Sequence, residues 1–515
     1  MKYVILCDST ELSVCDGVLE RGDIPNNEVW YTATKRVEPR VKSAFGANYL
    51  TNEWDESTGR GVITFDGDVV GVGVSAFQGC RSLDGITLPS SVKMIGHRAF
   101  SSCSRLTSIT IPEGVHTIGY EAFAGCERLQ SVDMPSSVTT VGESLFQGCS
   151  HLECVVLPDG IQELSSGLFE GCKGLKSVVL PDGIATIPSN LFSGCESLVN
   201  IDIPESVTEI RYDAFEYCTS LESVVLPQGL VLIDDYAFQY CGALKDVALN
   251  EALVTIGRDV FCGCVSLESV YIPQGVTSLG YNVFGGCVRL GRFEGRYATA
   301  DGRALVRDGE IIAYANASGG EYIIPGDVTV IGENAFAGCC DLSYVGVHNG
   351  ITSFGDCAFL DCRSISKINI PAGVTYIGYS AFENCTKLQS AVIPNGVALI
   401  GNSVFSGCSS LVNVAMSDSV TKIASDAFRG CSALQRIELS KSLETVEERA
   451  FMGCKGLSEI YFRGVTPPCF GTQVFSGCAD EVVVYVLSHV AVSRYREVGV
   501  LTDMADAIIV YDYDI

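Results

Sequence analysis

The sequence predicts a solenoid, a β-rich stack of about 17 short coils closed at both ends by segments that do not repeat. Three observations predict it. Phenylalanine recurs at 77, 100, 123, 146, 169, 192, 215, 238, 261 and 284, then at 336, 359, 382, 405, 428 and 451, always in steps of 23 residues, with Phe475 following after 24. Of the 24 cysteines, 17 stand three residues after one of these phenylalanines, from Cys80 to Cys478. A column of leucines keeps the same register from Leu83 and Leu106 to Leu457, with Ile365 as its one isoleucine. A fixed period of this length means that each coil is one small unit that cannot bury its apolar edges alone and does so against its neighbours.

Residues 1–60 lack the period and read as an N-terminal β-rich cap over the open apolar end of the stack. Val4–Leu6 and Val29–Ala33 are its expected strands, punctuated by Asp16-Gly17, Pro25 and Pro39. Residues 61–290 form the first block of coils, entered through the alternating run Gly61–Asp66. One coil runs from Cys103 to Cys126. Leu106, Ile109 and Ile111 point inward, while Ser108 and Thr110 point outward on a short strand. Pro112-Glu113-Gly114 turns the corner, Val115 and Ile118 face the core from the other side, and Tyr120–Ala124 reads as a helical turn carrying Ala122 and Phe123 inward. The proline that ends most strands cannot donate to the next coil's ladder. The glycine after the core isoleucine (Gly73, Gly96, Gly119, Gly142) gives way to Ser165, Pro188, Arg211 and Asp234, so no left-handed backbone is required there. The position before the cysteine carries mostly Gly, with Ser102, Asp361 and Asn384, as a left-handed site would. Tyr217 and Tyr240 break that rule in adjacent coils, where they can stack on each other.

Residues 291–322 are an irregular coil in which Ala304–Tyr314 reads as a β-hairpin turning at Asp308-Gly309. Residues 323–478 make the second block, and 479–515 a C-terminal cap with strands at 482–486 and 507–511 and a short helix over 489–498 that turns Val490, Val492 and Tyr495 to one side.

Composition narrows the function classes. Hydrophobic residues make up 47% of the chain and charged ones 18%, which excludes a disordered chain. The net charge of −27 argues against nucleic acid and anionic membrane surfaces, both of which call for Lys and Arg. It serves the solubility of a long apolar stack, or presents an acidic face to a basic partner. No apolar run is long enough to insert in a bilayer, and the apolar stretch after Met1 is too short for a signal peptide. Stacked coils about 4.8 Å apart bring the ladder cysteines within disulfide range. Their side chains run parallel, however, so they read as free buried thiols suited to a reducing compartment or an anaerobic host.

The repeat Ile-Gly-x-x-Ala-Phe-x-Gly-Cys over residues 61–478 resembles the BspA-type leucine-rich repeat family. The hairpin followed by Tyr322–Pro325, the segment Asn27–Thr32 and the closing region from Tyr495 to Tyr511 are similar to features of such proteins. The resemblance implies a leucine-rich-repeat solenoid, a right-handed curved stack with one parallel sheet. It further implies cell-surface or secreted adhesion to extracellular-matrix, host or microbial proteins.

Catalytic motifs are missing from the sequence. The five histidines, His97, His116, His151, His348 and His489, fall at different phases of the repeat, and no zinc spacing or nucleophile elbow is present. Asn316-Ala317-Ser318 is formally a glycosylation sequon. The chain therefore reads as a non-enzyme without cofactor or metal, a monomer that binds a protein partner. The outward strand residues Thr110, Asp133, Val156, Val179, Asp202, Val225 and Tyr271 are the candidate protein-binding face. The valines and the tyrosine answer equally to simple β-propensity on a half-exposed strand and to a binding stripe. An adhesion solenoid is the expected function; an intracellular interaction scaffold is the alternative.

Overall fold

The computed structural model describes residues 24–499 and 508–510. It contains two compact units, one running through Ser266 with Pro273–Val283, the other made of Leu267–Ile272 with Phe284 onward. Each is a β-solenoid, and the chain makes about 19 turns in all, close to the regular coils counted from the sequence. The expected strand at Val4–Leu6 lies outside the described residues.

In the first unit a coil is tied to its neighbours on three sides. The outward-facing strand Ser108–Thr110 pairs in parallel with Leu83–Thr87 before it and Ser131–Asp133 after it. The corner beyond the proline holds a second ladder of two-residue strands, Thr117–Ile118 lying between Met94–Ile95 and Thr140–Val141. The segment around the phenylalanine makes the third set of bonds. The amides of Ser75, Phe77 and Gly79 donate to the carbonyls of His97, Ala99 and Ser101 in the next coil at 2.9, 2.7 and 2.7 Å, and later coils repeat the pattern. This segment is not the helical turn that the spacing suggests. Glu121 has φ 52° and Gly125 φ 71°, so a left-handed residue stands two before and two after Phe123, and the amides of Glu121, Phe123 and Gly125 donate along the stack to the Glu143, Leu145 and Gln147 carbonyls. The glycine after the core isoleucine is indeed not left-handed. Where present it allows close approach, since a Cβ on Gly142 would lie 2.2 Å from the Tyr120 nitrogen.

The core follows from the columns. In the first unit the rings from Phe77 to Phe261 stack at centroid spacings of 5.0–5.7 Å. The leucines beside them are fully buried. At about 1.5–3 kcal/mol per buried large side chain, these columns dominate stability.

At the start of this unit, β1 (Glu28–Ala33), β2 (Tyr49–Asp55) and β3 (Arg60–Phe65) form an antiparallel group. β1 pairs with β3 on one side and with the strand Leu83–Thr87 on the other, so the parallel ladder does not end bare at its first coil. The Tyr31 hydroxyl, buried under this group, donates to Asn52 Oδ1 at 2.9 Å.

The second unit repeats the design, with rings from Phe336 to Phe475 spaced 4.9–5.6 Å. Its irregular coil contains the expected hairpin, Ala304–Arg307 against Glu310–Tyr314. Asp308 and Gly309 both have positive φ, 51° and 77°, as a tight two-residue hairpin turn requires. Arg303 anchors this region by donating to the Gly319 and Glu321 carbonyls at 2.7 Å each and to the Tyr314 hydroxyl. Near the end, α1 (His489–Arg496) buries Ala491 and Tyr495 rather than Val490, which is exposed. Tyr495 sets the helix's orientation, because its ring packs on Phe462 at 4.6 Å and its hydroxyl donates to the Gly464 carbonyl at 3.1 Å.

Candidate functional site

The pleat decides which strand residues can meet a partner. In the first unit Ile109, Val132, Val155 and Val178 are buried, and the residues that alternate with them face out. Thr110 pairs with Asp133, Val156 with Val179, and Asp202 with Val225. All six are exposed, with Val156, Val179 and Val225 at 61%, 56% and 68%. Within this unit the structure therefore brings together the predicted residues as one outward row, apolar at three positions and acidic at two. Tyr271 belongs to the second unit, where it is 40% exposed and pairs with Glu294.

Four histidines are engaged with backbone at scattered sites. His97 accepts from the Tyr120 amide at 3.1 Å, and His348 accepts from the Gly350 amide at 3.0 Å. Ring nitrogens of His116 and His151 meet the carbonyls of Ser137 and Glu127. Among the described residues no group of three or more His, Cys, Asp or Glu is placed to hold a metal ion, and no helix is long and apolar enough to cross a membrane.

The cysteine ladder has a defined structural role. All 22 cysteines of the described residues are free thiols. In the first unit each ladder thiol from Cys103 to Cys264 donates to the phenylalanine carbonyl of the preceding coil, at 3.0–3.2 Å. Burial pushes these thiols far up, Cys172 to about 12, so they stay protonated and unreactive. In the second unit Cys339 follows the irregular coil, which offers no phenylalanine carbonyl, and it donates instead to Asn316 Oδ1 at 3.0 Å. The sequon asparagine is thus a buried internal acceptor with its amide against the Ala337 carbonyl, not a glycan acceptor.

Two surface features escaped the strand-face reasoning. In the second unit the outward row carries Tyr461 stacked on Tyr485 at 4.3 Å, with the Arg436 guanidinium over Tyr461 at 4.9 Å. Extending the outward column past Tyr271 leads to them once the 23-residue steps are lengthened by the six extra residues of the irregular coil and by the one extra residue before Phe475. In the first unit Tyr217 and Tyr240 do stack, at 4.8 Å, and belong to a larger tyrosine group with Tyr212 and Tyr236 on the turn side. Its signal was Tyr217 and Tyr240 at a position where other coils carry Gly, Ser, Asp or Asn.

Comparison with known proteins places this geometry. A family model described as the BspA type leucine rich repeat region (6 copies) matches residues 70–189, 162–291, 312–433 and 382–490. No functionally curated protein matches the chain. Similar solved structures include a leucine-rich repeat protein of Bacteroides ovatus, 26% identical over 87% of this chain and 88% of that one, with a TM-score of 0.37. A leucine-rich repeat protein of Eubacterium ventriosum is 21% identical over 77% and 82%, with a TM-score of 0.39. A leucine rich cell surface protein of Faecalibacterium prausnitzii is 24% identical over 81% and 86%, with a TM-score of 0.32.

Proposed function

Because the chain belongs to the BspA-type leucine-rich repeat family, we propose that it is a non-catalytic adhesion solenoid that holds a partner protein on its outward strand face. Solenoids of this family are generally non-catalytic. The observation that carries the proposal is the row Val156, Val179 and Val225, exposed on a strand ladder whose inward positions are already filled. An outward row in which Thr110 and Asp133 precede Val156 and Val179, and Asp202 stands between Val179 and Val225, mixes apolar and polar side chains as protein interfaces do. In the second unit Tyr271 offers a side chain of the type enriched at interfaces. The partner is a surface protein of a host or of another microbe, and the chain acts outside the cell as a monomer.

The test is binding of the purified chain to immobilised extracellular-matrix proteins and to intact bacterial cells, comparing the native protein with Val179→Glu. Binding that falls at least tenfold in the variant, with unchanged thermal melting, supports the proposal. Binding indifferent to Val179→Glu refutes the strand face. Surface proteolysis of intact producing cells checks the location: protein protected until lysis turns the reading to an intracellular scaffold using the same face.

A further inference from the structure

A second surface of the first unit lies on the turn side of the coils of Phe215 and Phe238 and is separate from the strand row. Tyr217 and Tyr240 sit two residues after the phenylalanine, at φ 57° and 58°, where every other coil of the described residues has Gly, Ser, Asp or Asn. Tyr236, two residues before its phenylalanine, is left-handed as well, at φ 61°. A bulky side chain in that region is a genuine outlier, held against a backbone preference that glycine does not have. These rings do not fill the core, which the phenylalanines fill. Tyr212, Tyr217 and Tyr240 are 42%, 46% and 41% exposed.

The group is nevertheless ordered by its neighbours. Tyr217 stacks on Tyr240 at an interplanar angle of 16°. Tyr240 lies against Gly263 of the next coil, where a Cβ would come within 2.4 Å of its ring. Tyr212 meets Tyr236 edge-on at 5.4 Å, and Arg258 covers Tyr236 at 4.9 Å while paired to Asp235 at 3.1 Å.

Along the coil between Tyr212 and Tyr217 stand Asp213 and Glu216. Among the described residues neither is ion-paired with a lysine or arginine, and Glu216 accepts from Ser193 Oγ at 3.4 Å. Burial holds the Asp213 carboxyl up at about 7, with Glu216, Asp235 and Glu170 adding repulsion and a Tyr212 hydrogen bond opposing it. Burial raises Glu216 too. Glu216 and, once ionised above about pH 7, Asp213 have no lysine or arginine partner among the described residues; flanked by exposed electron-rich rings, they form a surface complementary to guanidinium and ammonium groups.

We propose that this turn face receives a lysine- or arginine-bearing peptide segment of a partner protein, with its cationic groups on Asp213 and Glu216 and its side-chain stems along Tyr212, Tyr217 and Tyr240. The proposal is independent of the strand row.

The test measures fluorescence anisotropy of a labelled nonapeptide of alternating Arg and Ser against the full chain at low and physiological salt. Three double variants decide it. Asp213→Asn/Glu216→Gln removes the charges conservatively. Tyr217→Gly/Tyr240→Gly installs the residue that most other coils use, so folding is retained and the melting temperature should hold or rise. Glu113→Gln/Asp159→Asn removes the same charge from exposed turns elsewhere in the unit. The expected result is at least tenfold weaker binding for the first two and less than twofold change for the third, with Val179→Glu also without effect. Equal weakening by the third variant means a diffuse polyanion field and overturns the proposal. So does binding unaffected by the first two, or equally tight binding of spermine with the same variant dependence, which would make the site one for small polyamines.

Discussion

Replacing one rung of the thiol ladder separates two roles that the native structure combines. Cys172 is fully buried, and its Sγ donates to the Phe146 carbonyl at 3.0 Å. That carbonyl also accepts the Cys149 amide at 3.0 Å, so losing the thiol does not orphan it. For Cys172→Ala the lost hydrogen bond is therefore worth about 0.5–1 kcal/mol. The lost burial is about that of one methylene, ~0.8 kcal/mol, and the atom-sized void adds a few tenths. The sum is about 2 kcal/mol. Cys172→Ser keeps a donor, but the shorter C–O bond draws the oxygen back from an acceptor already fixed by two ladders. A buried hydroxyl with a poor partner costs about 1–3 kcal/mol. Serine should thus be at least as destabilising as alanine. The assay is urea unfolding of the full chain, with hydrogen exchange at the amides around Phe146 and Phe169 to localise the loss. A serine variant as stable as the native protein would show that donation alone holds the column. An alanine variant within about 0.5 kcal/mol of native would show that the thiol contributes neither bond nor packing worth measuring.

Three further outcomes follow from particular residues. Of the 22 described thiols, Cys340 and Cys469 are exposed, so brief alkylation of the folded chain should label these two first by peptide mass spectrometry, and unfolding without reductant should make all 22 reactive. Asp213 keeps its proton up to about pH 7 in the folded chain, whereas the unfolded carboxyl loses it near 3.9. Between these values the native state binds the extra proton, so stability falls as pH rises; Asp213→Asn should match the native melting temperature near pH 4 and exceed it above pH 7. Asn316→Ala removes the acceptor of the Cys339 thiol and should cost about 1–3 kcal/mol in urea unfolding; the native chain secreted from a eukaryotic host should carry no glycan at Asn316, read by the mass of its peptide.

The repeat made the fold legible because each buried column reports one physical demand in every coil. Phe123 and Leu106 could be placed inside from spacing alone, and Asp308-Gly309 marked its hairpin because few dipeptides accept positive φ twice. The bonding around Phe123 was not legible. Spacing suggests a helical turn at Tyr120–Ala124, yet Glu121 is left-handed and its amide reaches the Glu143 carbonyl of the next coil. Glutamate does not announce that conformation, which is imposed by the neighbouring coil. Likewise the sulfur of Cys126 looked like an apolar filler; only the position of the Phe100 carbonyl, 3.2 Å away, makes it a donor. The outward row was readable from the pleat, since Val156 and Val179 alternate with buried Val155 and Val178. The carboxyl groups between the tyrosines were not, because what distinguishes Asp213 from any turn aspartate is its burial, with crowding from Glu216 on its own coil and from Asp235 and Glu170 on other coils.

This difference suggests where recognition can evolve in such a stack. Three sets of inter-coil hydrogen bonds and two apolar columns bind each coil to the next, so the side chains that face outward carry little of the load. Substituting Val179 or Tyr217 alters the surface while leaving Phe169, Cys172 and Leu175 in place. Most outward positions then take whatever residue the local backbone prefers, as the left-handed site beside the cysteine takes glycine. An aromatic residue at that site works against the preference, and it occurs at Tyr217 and again 23 residues on at Tyr240. One such tyrosine could be tolerated without purpose, at about 1–2 kcal/mol of backbone strain. Two in adjacent coils, stacked on each other beside carboxylates without a counter-cation, recover only part of that strain through a ring contact worth about 0.5–1.5 kcal/mol. The remainder is stability given up at the surface, where packing has no claim on the residue, and a binding role is the physical use such a deficit can have.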